Sequence, residues 1–454
     1  MLCKSFKRAI CPPDIFNFEK LFLVFVLIAS SFITSAQGND PIENDQTNLL
    51  TLRKALELSI QHNPSLKVFQ FKNEALTGNY QTANLKPNYE LDVETEQFAG
   101  TGELSGIKSL EVTVSLSSVI EMGGKRDSRV VLVSSKRNVL ATEKQIQSLE
   151  LLGEVTRRYI ELLAAQEMEN LAEDAFRLTK KSIQIVKKRV RAGATPAVEL
   201  KRAEAANAQA ELNLGSERQQ LDYRRVALAA LWGERVFDFD SARGNLFHFG
   251  DDVEFNTLYS KVERNPLIQL FAEQERMNKA KLRLIKTESS ANIQWSVGIR
   301  QTQETNDTSL VAGFSMPLIS SNRNRGEIVS ALAERNETYV QREVAVIAMH
   351  SQLYRAYHNR KQAIKTVEQL NQMIIPALKE AMTGTLAAYQ QGRYGYLETV
   401  SARQELINAK RLLIEASSAA LSYAAEIEQL TAEPIAATKY GEPKELKDLK
   451  NDIN

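Results

Sequence analysis

The feature that most constrains this chain is a periodic run between residues 122 and 233. Within it Leu152, Val155, Tyr159 and Leu162 follow at steps of three, four and three, and Leu171, Ala175, Leu178, Ser182 and Ile185 keep the same alternation. Such steps line apolar side chains along one narrow stripe of an α-helix, the seam of a coiled coil. At 1.5 Å per residue, residues 125–189 predict a rod roughly 100 Å long. The run is broken once, at Arg191-Ala192-Gly193-Ala194-Thr195-Pro196. Glycine and proline turn the chain back there, and a second helix through Trp232 pairs with the first as an antiparallel hairpin. By themselves such rods fit a purely structural coiled coil equally well.

The segments ahead of the hairpin change period. Residues 49–61 read as an amphipathic helix stopped by Asn63-Pro64, and residues 65–85 as a second helix. Leu91, Val93 and Thr95 then alternate with Glu90, Asp92, Glu94 and Glu96, which predicts a strand at about 89–98. A small, glycine-rich loop separates it from a second alternating strand at about 108–118. After the hairpin at about 122–233 comes a non-periodic connector, 234–253.

The whole programme then recurs. Asn265-Pro266 stands 202 positions after Asn63-Pro64 (265 less 63). Strands are expected at about 292–301 and 309–319. Ser320-Ser321-Asn322-Arg323-Asn324-Arg325-Gly326 occupies the place held earlier by Met122 to Arg129. A long helix runs to Tyr389, breaks at Gly392-Arg393-Tyr394-Gly395 and returns, a hairpin at about 323–431. Gly392 follows Gly193 by 199 positions (392 less 193). The chain thus reads as two repeats, 37–253 and 254–432, and a polar tail, 433–454. Length alone would suggest about three domains; the repeat points to one elongated fold.

The N-terminal stretch has the form of a secretory signal, residues 1–36. Lys4, Lys7, Arg8 and Lys20 precede the apolar run 21–33, and Thr34-Ser35-Ala36 offers a cleavage site. A retained anchor is the alternative, although the run is short for a membrane helix. Both cysteines, Cys3 and Cys11, precede the apolar run and leave with it, so the mature chain is expected to hold no disulfide, no thiolate metal site and no lipidated cysteine. With 57 Lys+Arg against 56 Asp+Glu, the charge gives no case for nucleic acid. His62, His248, His350 and His358 do not sit among carboxylates at metal-ligand spacing. Gly123-Gly124-Lys125 lacks the rest of a phosphate loop. No catalytic constellation emerges: the chain is expected not to be an enzyme, with no cofactor and no metal site.

Four strands of about ten residues, each with one apolar and one polar face, have the length of tilted transmembrane β-strands. A soluble hairpin packed on another element is the alternative. Four strands cannot close a barrel, and lipid tolerates no open edge. If they span a membrane, the chain must oligomerise; three copies give twelve strands around a water-filled lumen. The pore would then be lined by Glu90, Asp92, Glu94 and Glu96, an acidic run that favours cations, though a merely solvated face fits too. Tyr89 and Trp295 suit a lipid–water boundary.

The doubled unit of Asn-Pro helices, strand pair and long hairpin resembles the TolC-like outer-membrane efflux family, over nearly everything from residue 49 to 431. Ser117-Ser118-Val119-Ile120-Glu121-Met122-Gly123-Gly124-Lys125-Arg126 is similar to the strand-to-helix junction of its heavy-metal branch, the outer-membrane components of cobalt-zinc-cadmium resistance pumps. The resemblance implies a homotrimer with a twelve-stranded barrel in outer-membrane lipid and an α-helical barrel in the periplasm. It also implies two partners: a periplasmic membrane-fusion adaptor and an inner-membrane RND transporter. Gly193 and Gly392 match the family's tip glycines. Thr195, Glu199, Arg393 and Glu398 fall where the tips meet the adaptor. Tyr389 and Glu398 fall at its periplasmic gate tyrosine and first acidic ring. Ser401 stands where a second acidic ring is expected, so a double ring is not matched. Cargo stays open between metal cations, drugs and secreted protein, and a periplasmic coiled-coil scaffold remains the non-channel alternative.

Overall fold

The structure, a computed structural model, describes residues 49–250, 252–318 and 324–433. The chain divides into two units, Met1–Gln46 and Thr47–Asn454. The expected signal peptide, the lead-in up to residue 48, junction residues 319–323 and the tail from 434 lie outside the described residues.

Within the second unit the order is β1 (Leu49–Leu50), α1 (Leu52–His62), α2 (Pro64–Ala83), β2 (Tyr89–Glu96), β3 (Glu111–Ile120), α3 (Lys125–Arg191) and α4 (Ala197–Ala229). Then follow β4 (Ser241–Ala242), α5 (Phe255–Val262), α6 (Pro266–Glu288), β5 (Ile293–Thr302), β6 (Asp307–Ser315), α7 (Arg325–Gln369), α8 (Ile375–Gln390) and α9 (Tyr396–Thr431). Helix α3 runs 67 residues, about 100 Å at 1.5 Å each. It contains no proline, and its one glycine, Gly153, sits where a Cβ would stand 2.7 Å from Gln429 Oε1 on α9. The missing side chain lets the two helices approach.

Two asparagines tie each strand-bearing half to its return helix. The Asn63 side-chain oxygen caps α2 by accepting from the Ser65 N–H at 2.8 Å, while Nδ2 donates to the Leu231 carbonyl at 2.7 Å. Asn265 caps α6 through the Leu267 N–H at 2.8 Å, and its Nδ2 donates to the Gln429 and Leu430 carbonyls, each at 3.0 Å. A proline follows each cap at the first helical position, where its lost N–H costs nothing. One side chain thereby satisfies the start of one helix and the end of another.

The main core gathers seam residues Val155, Tyr159 and Leu162 of α3 with Leu228 and Trp232, with Phe239, Ala242 and Leu246, and with Leu421 and Ala425 of α9. The stretch 234–253, expected to be a non-periodic connector, therefore supplies core. Its residues 241–242 form β4, parallel to β1, and the Arg243 N–H donates to the Leu50 carbonyl at 2.9 Å. Tyr159 anchors this seam: its hydroxyl, 2.8 Å from the carbonyls of both Leu50 and Arg243, donates to the pair. Burial pushes that phenol's pKa up. The first helix begins at Leu52 and not at 49, because Thr51 caps it, accepting from the Lys54 N–H at 3.3 Å, and β1 takes the two residues before.

The expected unbroken helix to Tyr389 is interrupted. Leu370–Ile374 form a π turn ahead of Pro376. A proline ring has no N–H and collides with the carbonyl four residues back, and widening the preceding turn relieves both faults. Strand ends also shift by up to four residues from expectation. β2 ends at Glu96 because Gln97 takes φ +55.

Candidate functional site

The sheet is antiparallel throughout, in the order β2-β3-β5-β6, with β2 and β6 as open edges. Its register settles which side chains share a face. Leu91, Leu116, Val297 and Ala312 stand in one cross-strand row, and Val93, Val114, Ile299 and Leu310 in the next. Tyr89, Ser118, Trp295 and Phe314 make a third row nearer the helices, where the Tyr89 and Trp295 rings meet edge to face at 6.3 Å. Every one of these faces the same way, because side chains alternate with a period of two. The face is not covered: Leu91 is 71 % exposed, and Leu310 and Phe314 are 84 % exposed. On the opposite face Thr113 and Ser117 are buried. A sheet in water would bury the first face and expose the second.

The polar face carries Glu90, Asp92, Glu94 and Glu96 at alternate positions of β2, all near its open edge. Asp92 accepts from the Ser117 hydroxyl at 2.9 Å. Glu96 pairs directly with Glu111 across β2 and β3. Arg300 of β5 reaches both, 3.2 Å from Glu111 and 3.5 Å from Glu96, and its Nε donates to the Thr113 hydroxyl at 3.0 Å. Gly298, two residues back, has no room for a side chain: a Cβ there would lie 2.5 Å from the Val114 carbonyl oxygen.

The Met122-Gly123-Gly124-Lys125-Arg126 junction is a mechanical joint. Gly123 and Gly124 both have positive φ, +78 and +72, and a Cβ on Gly123 would strike the Ser290 hydroxyl. The turn delivers Lys125, buried, to Asn292 Oδ1 at 2.6 Å. Arg126 grips the Asn84 carbonyl and side chain, each at 2.8 Å. Arg129 holds Glu121 with two bonds of 2.6 and 2.9 Å, which keeps that carboxyl below its ordinary range.

The two hairpin turns close alike. Gly193 has φ +69 and Gly392 φ +77. In the first turn the Gly193 and Ala194 N–H groups donate back to the Val190 and Arg189 carbonyls; in the second, Gly392 and Arg393 donate to Tyr389 and Ala388. This is the left-handed helix cap that glycine adopts without steric cost. The turns are also joined. Tyr389, 2 % exposed, donates its hydroxyl to Glu199 at 3.1 Å, and Thr195 donates to the same carboxylate. The Arg189 guanidinium lies 4.7 Å over the Tyr389 ring and donates to the carbonyls of Gln390 at 2.9 Å and Ala194 at 3.3 Å. Val186, Ala203 and Tyr396 complete the small core around Tyr389.

Of the residues singled out at the turns, the structure brings Gly193, Thr195, Glu199, Gly392 and Tyr389 together. Arg393 and Glu398 are exposed and stand apart from that network. Glu398 lies beside Gly395, where a Cβ would come within 2.9 Å of Oε2, and Ser401 donates to Glu405 at 3.2 Å. Arg189 and Arg300 were not legible as partners. Arg300 had one signal, a basic residue at a polar-face position of an alternating segment. Arg189 had none beyond a basic charge in a helix's last turn.

Among the described residues no group of three or more His, Cys, Asp or Glu side chains is placed to hold a metal ion. His350 and His358 belong instead to an aromatic cluster with Phe255, Tyr259, Tyr354 and Tyr357. No described helix is long and apolar enough to cross a membrane.

Residues 55–234 match the family described as outer membrane efflux protein. Its members are transport channels, not enzymes. The chain is 24 % identical over 361 residues to the cobalt-zinc-cadmium resistance protein CzcC of Cupriavidus metallidurans, covering 80 % of this chain and 85 % of that one. Its fold is that of the outer membrane protein VceC from Vibrio cholerae, with a TM-score of 0.68 at 18 % identity over 84 % and 96 % of the two chains. CusC superposes with a TM-score of 0.70 at 13 % identity over 86 % and 95 %.

Proposed function

We propose that the chain is the outer-membrane exit duct of a tripartite efflux pump. Three copies would pair β6 of one with β2 of the next and close a twelve-stranded barrel, with the hairpins forming a helical cylinder in the periplasm. The observation that carries this reading is the sheet's uncovered apolar face between two open edges. Lipid satisfies the face, and closure satisfies the edges. A periplasmic scaffold would leave both in water. The turn cluster around Tyr389 and Glu199 serves as the gate, and the exposed turn residues Arg393 and Glu398 face the membrane-fusion adaptor of an RND transporter. The two repeats, 37–253 and 254–432, supply equivalent strand pairs and hairpins.

Heavy-metal cations are the proposed cargo, supported by the likeness to CzcC. They pass without a dedicated site, and the inner-membrane partner selects them. Outer-membrane fractions should yield trimers that fall apart on heating, and a soluble periplasmic monomer would end the proposal. A deletion strain tested against zinc, cadmium, cobalt, copper and silver, and against dyes and detergents, reads the cargo. Sensitivity confined to dyes and detergents would keep the duct and replace the metals with drugs.

A further inference from the structure

We infer that Arg300 sets the charge of the barrel's loop-side rim and so tunes cation preference where solute leaves the duct; this rests on the duct reading. The four strands hold one basic residue among the described residues, and it is Arg300. The same face holds six carboxylates: Glu90, Asp92, Glu94, Glu96, Glu111 and Asp307. They are not evenly placed. Glu96, Glu111 and Asp307 lie at the end toward the β2–β3 and β5–β6 loops, and Glu90 lies toward the helices.

Two of the rim acids face each other directly, Glu96 across from Glu111. Like charges opposed on an antiparallel pair repel. Arg300 stands on the next strand, in the row of Thr113 and Glu94, and its guanidinium reaches one row onward to both glutamates at 3.5 and 3.2 Å. The bond to Thr113 fixes its Nε and aims the fork. Gly298 is the space that keeps β5 close enough to β3 for this reach. The clasp leaves the rim with two net negative charges per copy in place of three.

That single charge acts locally. Glu90 and Glu96 are six residues apart, roughly 20 Å along a strand. The Debye length near physiological salt is about 8 Å. Glu90 therefore holds its own field, and Arg300 acts on the rim and on Glu94 in its own row. A cation leaving the lumen meets a shallower well at the mouth than inside, which favours release over retention at the last step.

The test is the reversal potential of the reconstituted protein in planar bilayers under a KCl gradient, with the loop side at about 0.1 M, where charges act over about 10 Å. Arg300→Gln should raise the cation-to-anion permeability ratio about two-fold. Arg300→Gln combined with Glu111→Gln restores the rim charge and should return the ratio to the unaltered value. An Arg300→Gln trimer with an unchanged ratio overturns the inference and leaves the duct standing. So does a double variant that stays shifted, since a purely structural role would not be rescued by removing a second partner. A protein that does not conduct even with the Tyr389→Phe substitution in the turn cluster overturns the duct reading, and this inference with it.

Discussion

Tyr389 donates its phenolic hydrogen to the carboxylate of Glu199 at 3.1 Å, joining the last turn of α8 to the first turn of α4 across 190 positions of chain. The bond links the two hairpin turns within one chain. Arg189 adds a second link by stacking on the same ring and bonding to Gln390. Phenylalanine at 389 keeps the ring, its packing on Tyr396 and its contact with Arg189, and removes only the hydroxyl. If the link holds the duct shut, Tyr389→Phe should raise open-channel events in bilayers several-fold, while losing about 1 kcal/mol of local stability. Openings no more frequent than before would show that the link is structural.

The same cluster predicts an alkaline limit. Burial first, and then the hydrogen bond to the Glu199 carboxylate, push the Tyr389 phenol up to about 12, above its ordinary 10. A raised folded value means that the folded state prefers the proton. The contribution is thus full below about 10 and is lost as pH rises toward about 12. Glu121 behaves oppositely: the bond from Arg129 lowers it below 4.5, so the junction clasp is present above that value and weakens as pH falls through the lowered one. Protease nicking at the turns should appear only at high pH, and at the 122–126 junction only at low pH. Nicking of both together in acid would contradict this division.

Asn63→Ala and Asn265→Ala should destabilise by similar amounts, about 2 kcal/mol each. Each loses a helix cap, worth about 1 kcal/mol, and leaves return-helix carbonyls without a donor. Asn265 serves two such carbonyls and Asn63 one, so the Asn265 variant should melt at the lower temperature. Calorimetry on the detergent-solubilised protein reads both. Equal melting temperatures to the unaltered chain would show that other contacts hold these ends.

Leu310→Arg places a charge on the uncovered face, in the row of Val93, Val114 and Ile299, where Leu310 is 84 % exposed. In water that substitution is close to neutral. In lipid an arginine at mid-depth costs about 2–4 kcal/mol. Refolding into vesicles should suffer by that amount, while Ser309→Arg on the opposite face should not. Identical refolding of the two variants would argue against a lipid-facing surface.

Gly392→Asp should uncouple the duct from its adaptor and leave trimers intact. The φ of +77 strains any side chain, and a Cβ would lie 3.6 Å from Arg189 Nη2. A carboxylate there draws Arg189 away from the Gln390 and Ala194 carbonyls and distorts the turn. Efflux that survives the change would move the docking surface elsewhere.

Much of this architecture was legible because it is written in periods. A three-four beat gave α3, and a two-residue beat gave the strands to within about four residues, since helix and strand repeats are local properties of backbone geometry. Turn glycines and Asn-Pro pairs gave the breaks. The connector hid its core role because Phe239, Ala242 and Leu246 follow no single period. The π turn escaped because a proline's neighbours do not say how the strain before it is relieved.

The sequence by itself determined which segments are helical rods, which are alternating strands, and that glycine would close both turns. Only the tertiary structure decided that Tyr389 meets Glu199 and not Glu398, that Arg300 spans Glu96 and Glu111, and that all four strands contribute to apolar rows on one uncovered face. The physical reason is distance along the chain. Strand register and hairpin docking bring together groups nearly two hundred positions apart, and no local repeat carries the information about which of them will touch.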